Sequence, residues 1–116
     1  MDVNMKSQTR ENAIFCNMDV FTQLERENHV QNTVRLFQTV EDIHDAENGF
    51  VFLFPQTNSS ENISRFAEFI FNERRCCPFL EFTLKVAPND GSISLLLSGP
   101  EGTREFLHEE FSEAFS

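Results

Sequence analysis

Between Leu80 and Leu97 the chain alternates apolar and polar residues on both sides of a turn. Leu80, Phe82, Leu84 and Val86 are separated by Glu81, Thr83 and Lys85, and Ile93, Leu95 and Leu97 stand among Ser92, Ser94 and Ser98. A period of two marks a strand with one wet and one buried face, and the turn residues of "APNDGS" join two such strands into an antiparallel hairpin. Only Leu96 breaks the pattern. A second hairpin is predicted upstream in "VEDIHDAENGFVFLFP", where Asn48-Gly49 tolerates the positive φ of a two-residue turn. Its alternation puts Phe50, Phe52 and Phe54 on one face and Val51 and Leu53 on the other. Two hairpins need a cover over their apolar faces, and the rest of the chain supplies helices.

Three segments carry helical signals. "TQLE" fits a capping box from Thr22 to Glu25, and a helix running on to about Gln38 would place Val30, Val34, Phe37 and Val40 on one broad face. Asn58 or Ser59 caps a second helix with Ile63, Phe66, Ala67 and Ile70 at helical spacing. Pro78 stops it, because the residue before a proline avoids the α region. Cys76 is therefore expected in the last turn and Cys77 in an extended joint. Gly99-Pro100 is expected to open a last helix, with Pro100 near its first position and Leu107, Phe111 and Phe115 facing inward. The predicted order is α-ββ-α-ββ-α: an α+β fold with a four-stranded antiparallel sheet from two β-hairpins and helices packed on one face. Each half reads as a hairpin followed by a helix, so Phe50, Phe52 and Phe54 correspond to Ile93, Leu95 and Leu97. Residues 1–13 read as a disordered lead-in and 14–116 as one domain.

Composition excludes several functions. The formal net charge of −10 disfavours nucleic acid and anionic membrane surfaces. No apolar run approaches the roughly 20 residues of a spanning helix. The first residues lack a signal peptide's apolar core, which predicts a cytoplasmic protein with reduced thiols. Three cysteines cannot all pair within one chain, which also argues against a disulfide framework. All fourteen aromatic residues are phenylalanine, suited to a core without polar handles.

The stretch "ERRCCPFLEF" (Glu73 to Phe82) does not read as packing alone. Adjacent thiols follow two arginines, which favour a thiolate but are also welcome at a helix C-terminus. Arg26 and His29 fall on or beside the apolar arc of the first helix, where neither is expected. Cys16 precedes that helix. If the first two helices pack together, Cys16, His29, Cys76 and Cys77 converge, and thiolates with imidazole suit soft metals such as zinc, copper(I), mercury or arsenic(III). On this reading one vicinal thiol packs in the core and the other faces a small cavity near Cys16 and His29. His44 and His108 read as surface residues.

"NGFVFLFP", "FIFNERRCCPFLEFTLKV" and "ISLLLSGPEGTREFL" together resemble a family of small uncharacterised bacterial proteins with a motif close to E-R-x-C-C-P-F-x-x-F-x-L, followed by L-x-G-P-x-G. Glu73, Arg74, Cys76, Cys77, Pro78, Phe79, Phe82 and Leu84 match the first motif. Leu97, Gly99, Pro100 and Gly102 match the second, and Cys16, Glu25, Arg26 and His29 match weaker upstream positions. The resemblance covers about residues 13 to 111. It implies a link to heavy-metal or arsenic resistance and implies no reaction. Three functions stay open: a thiol-based binder of a soft metal or metalloid, a thiol-dependent enzyme using Cys76 or Cys77, and a homodimeric interaction module. For the last, Leu96, Val51 and Leu53 would form the interface.

Overall fold

The computed structural model describes residues 14–56 and 59–115, so the expected lead-in and Asn58 lie outside the described residues. A short 3-10 helix (Met18–Val20) precedes α1 (Gln23–Phe37), followed by β1 (Asp42–Ala46), β2 (Gly49–Phe54), α2 (Ser60–Cys76), β3 (Glu81–Val86), β4 (Ile93–Ser98), α3 (Thr103–Glu110) and a last turn, α4 (Ser112–Phe115). The four strands form one antiparallel sheet in the order β1-β2-β4-β3. The two hairpin-plus-helix halves thus meet at the central pair, with Phe50 opposite Leu97, Phe52 opposite Leu95 and Phe54 opposite Ile93. This is the α+β architecture and element order that the alternation predicts.

The first hairpin turns one residue earlier than expected. Ala46 pairs with Gly49, so Glu47 and Asn48 form the turn, and Asn48 takes the positive φ of 52°. Gly49 serves another purpose. A side chain there would meet the Leu97 carbonyl oxygen and come within 2.8 Å of Ser98 Cα, so its bare Cα lets the central strands close. The last helix also starts later than expected. Gly102, at φ 101°, is its N-cap, and the Pro100 carbonyl accepts the Thr103 hydroxyl at 2.6 Å in the turn before it.

All helices cover one face of the sheet. Phe37 of α1 lies edge-on to Phe52 at 5.1 Å and stacks on Phe111 at 4.5 Å, while Phe66 of α2 meets Phe54 at 4.8 Å. Phe52, Phe54, Phe69, Ile93, Leu95, Leu97 and Leu107 are fully enclosed. On the opposite face Leu96 stands in register between Val51 and Thr83, and Val51, Leu53 and Leu96 are half-buried. The capping box of α1 is formed, with Thr22 Oγ1 accepting the Glu25 N–H and Glu25 accepting the Thr22 N–H.

Both long helices bury a different stripe from the one their apolar residues suggest. Val30 and Val34 of α1 are 47% and 44% exposed, while His29, Leu36 and Phe37 face inward. On α2, Ala67 is exposed, and the buried stripe runs Phe66, Phe69, Glu73, Cys76. Each stripe continues through a polar residue, His29 on α1 and Glu73 on α2. A reading that assigns only apolar residues to the core therefore rotates both helices, although the end of α2 at Cys76 is where Pro78 predicts it. The two polar residues meet each other.

Candidate metal centre

Glu73 is the hub. It is 2% exposed, and its Oε1 lies 2.8 Å from Nε2 of His29, itself 4% exposed. The contact places the ring proton on Nε2, where it is donated to the carboxylate. Among the described residues, His29 Nδ1 is a buried side-chain atom with no hydrogen-bond partner. The His29 ring is held between Phe21 at 5.4 Å and Phe69 at 5.9 Å.

The same carboxylate faces both vicinal cysteines. Cys76 Sγ is 3.8 Å from Glu73 Oε1, Cys77 Sγ is 3.5 Å from Glu73 Oε2, and the two sulfurs are 3.6 Å apart. Pro78 produces this geometry by ending the helix. Cys76 is the last residue of α2 and Cys77 is its extended cap, at φ −124° and ψ 72°. The i, i+3 and i+4 spacing from Glu73 then puts both thiols over one carboxylate.

Cys16 and Cys77 are joined by a disulfide, with their Cα atoms 4.5 Å apart, and Cys76 is a free, buried thiol. This corrects the expectation of three reduced thiols. The compartment argument weighs only the environment, whereas the fold brings Cys16 against the end of α2, where the Asn17 N–H donates to the Cys76 carbonyl at 2.7 Å. The expectation that one vicinal thiol faces a cavity is also corrected, since Cys76 and Cys77 are 1% and 0% exposed. A helix end that is itself capped by the N-terminal segment gives neither thiol an open side.

Cys16, Glu73, Cys76 and Cys77 offer ligand atoms that all lie within 4.8 Å of one another. Such a group can hold a metal ion once the sulfurs are free. Zinc–thiolate bonds of about 2.3 Å imply ligand separations near 3.8 Å, close to the 3.5–3.8 Å among Glu73, Cys76 and Cys77, whereas the bonded Cys16 and Cys77 sulfurs would have to part. His29 is not in this set. It stands behind Glu73 and orients it, the place that hydrogen-bonded partners of ligating groups occupy in metal sites. Glu73 is the residue that sequence reasoning missed. Its signal is positional: a carboxylate one helical turn before a Cys-Cys pair, continuing the Phe66–Phe69 stripe.

The arginines do not activate the thiols. Arg74 is exposed. Arg75 turns away to donate to the Val20 carbonyl at 2.9 Å, reach Glu25 at 3.6 Å and cover the Phe21 ring. Arg26 pairs with Asp19 at the surface. His44 and His108 are exposed, as their positions predict, His44 beside Asp42 and His108 against Phe115. Burial first, and then the carboxylates of Glu73 and Glu110, together push the Cys76 thiol up from its ordinary 9.0 to about 12. Although Glu110 is exposed as a residue, loss of solvent around its carboxyl, then the Glu73 charge, raises its own pKa.

The thiol gives a pH prediction. A thiol that ionises less readily folded than unfolded contributes stability fully present below pH 9 and lost as pH rises toward about 12. The chain has no tyrosine and its lysines are Lys6 and Lys85, so few other side chains titrate there. The oxidised protein is expected to lose roughly 2 kcal/mol of stability between about pH 8 and pH 10.5. Cys76→Ser is expected to flatten that limb. Urea midpoints measured at both pH values check it, and a limb of equal slope in the variant would rule out Cys76 as its source.

No protein-family model, curated protein or solved structure matches this chain. Among the described residues no helix is long and apolar enough to cross a membrane.

Proposed function

We propose that this protein binds a soft metal or metalloid ion through the thiolates of Cys16, Cys76 and Cys77, with Glu73 as the fourth or supporting ligand and His29 fixing Glu73. The observation that carries this reading is the group of three sulfurs and one carboxylate within 4.8 Å, buried except at Cys16. Three thiolates select soft ions over magnesium or calcium, which take oxygen ligands. The resemblance to the E-R-x-C-C-P-F family, with its link to heavy-metal or arsenic resistance, points the same way. Binding belongs to the reduced protein, because the disulfide occupies two of the three sulfurs.

The electrostatics favour binding over catalysis. A nucleophilic cysteine needs a depressed pKa and access, and Cys76 has neither: it is enclosed and its thiol is pushed up to about 12. A cation reverses that balance. Its own charge expels the thiol protons and relieves the repulsion from Glu73.

Elemental analysis of protein purified under reducing conditions, followed by titration with zinc and with arsenite, tests the proposal. The reduced protein is expected to bind one equivalent and the oxidised protein none. Cys76→Ser should weaken binding by more than about 100-fold, beyond the loss typical of a residue one shell further out. His44→Ala, on the open sheet face, should leave affinity unchanged. Reduced protein with three titratable thiols that takes up neither ion would refute the proposal.

A further inference from the structure

An ion has no direct way into this site. Cys76, Cys77 and Glu73 are all enclosed, and Cys16 is the one ligand of the four with partial exposure. The segment that carries Cys16 packs against the end of α2, where Cys76 and Cys77 stand. Its Ile14 side chain reaches the start of α3, where a Cβ on Gly102 would lie 3.0 Å from it. Asn17 donates its backbone N–H to the Cys76 carbonyl, the Met18 and Val20 carbonyls accept from Arg26 at 3.3 Å and Arg75 at 2.9 Å, and Phe21 lies over His29. The disulfide is the one covalent tie between this segment and the end of α2 among the described residues.

We propose that residues 14–21 are a strap over the thiol site, that the Cys16–Cys77 disulfide is its latch, and that a dithiol reductant opens it. The proposal takes its purpose from the metal reading above, but its test uses no metal.

The chemistry follows from access. Cys77 is enclosed, so the reductant's thiolate attacks Cys16 Sγ, on the partly exposed residue of the pair. The bond between the two protein sulfurs breaks, and a mixed disulfide forms on Cys16. Cys77 leaves as thiolate and takes up the proton that the attacking thiol released. The reductant's second thiol then attacks its own sulfur in the mixed disulfide, frees Cys16 as a thiol and leaves as a cyclic disulfide. Two electrons pass to the protein, and Cys16 and Cys77 each end with one proton. One event thus supplies the missing ligands and removes the tie that closes the site.

Without the disulfide the strap is held by a few hydrogen bonds, the surface Asp19–Arg26 pair, the Ile14 and Met18 contacts and the Phe21 ring. Segments of that kind open locally at a free energy below that of global unfolding. Alkylation of Cys76 by iodoacetamide, located by peptide mass, reads the opening. Reduced, desalted protein is expected to react at Cys76 on the order of ten-fold faster or more than oxidised protein. The rate should be insensitive to low urea, as local opening requires. Cys16→Ser should match the reduced rate with or without the dithiol. Equal Cys76 rates in the two redox states would overturn the latch, and so would a rate that climbs with urea in step with global unfolding. If Cys16→Ser does not fold, the comparison of wild-type redox states decides alone. Gated alkylation in a protein that takes up no zinc or arsenite supports the latch and removes the metal reading. Metal uptake with ungated alkylation overturns the latch and leaves that reading standing.

Discussion

Replacing Glu73 with alanine is expected to cost about 3 kcal/mol of stability, a large loss for one residue near a helix end. The cost is not that of a surface charge. Glu73 Oε1 accepts the hydrogen bond of His29 Nε2 at 2.8 Å in an enclosed site, and Nδ1 of that ring already lacks a partner. Without the carboxylate both ring nitrogens would be buried and unpaired, and the Cys76 thiol would lose its carboxylate partner. A cavity would be left between α1 and α2. Removing both partners behaves differently. A His29→Leu, Glu73→Met double variant fills the volume with apolar atoms and leaves no buried polar group unsatisfied, so it should be clearly more stable than Glu73→Ala. Urea denaturation of the wild type, His29→Leu, Glu73→Met and the double variant measures the coupling, with Glu73→Ala run beside them. If Glu73→Ala shifts stability by less than about 0.5 kcal/mol, the pair does not hold the two helices together as described. If the double variant is stable yet loses zinc and arsenite binding, the pair is kept at the expense of stability for what it does at the sulfurs.

The same pair marks the limit of what the sequence reveals. Strands were legible because period-two alternation needs no knowledge of partners. Leu80 to Val86 and Ile93 to Leu97 name their buried faces directly, and the two matched apolar triplets face each other across the central strands in antiparallel order, Phe50 opposite Leu97 and Phe54 opposite Ile93. The capping box at Thr22 and the break at Pro78 were legible for the same reason, since each rests on local backbone chemistry. The helix faces were misjudged where the core admits polar groups. Val30 and Val34 are apolar and lie outside; His29 and Glu73 are polar and lie inside. Only tertiary pairing makes that arrangement affordable, and pairing across 44 residues leaves no local trace. The candidate site was half legible. The fold does bring Cys16, Cys76 and Cys77 together, but the Glu73 carboxylate among them was not singled out, and His29 lies against Glu73, outside that group.

Reducing the Cys16–Cys77 disulfide is expected to lower stability by about 4 kcal/mol, because it releases a loop with a sequence separation of 61 into the unfolded ensemble. For a chain of this length that corresponds to a fall in melting temperature of roughly 15 °C. The loop carries α1, both strands of the first hairpin and α2, so its closure restrains about half of the fold. Reduced protein should still fold, since the Phe37–Phe52–Phe111 core does not depend on the link. Matched melting curves with and without a dithiol measure the effect, and temperatures within about 3 °C of each other would mean that the link contributes little of this constraint. The metal reading adds a second expectation to the same experiment. A ligand that binds only the folded, reduced protein stabilises it by mass action, by about 4 kcal/mol at a free concentration 1,000-fold above its dissociation constant. Zinc or arsenite at that excess should therefore return the reduced protein close to the oxidised melting temperature, and should leave the oxidised protein unmoved. The two states would then be alternative ways of tying Cys16 to the end of α2: a covalent bond in one, and a shared ion in the other.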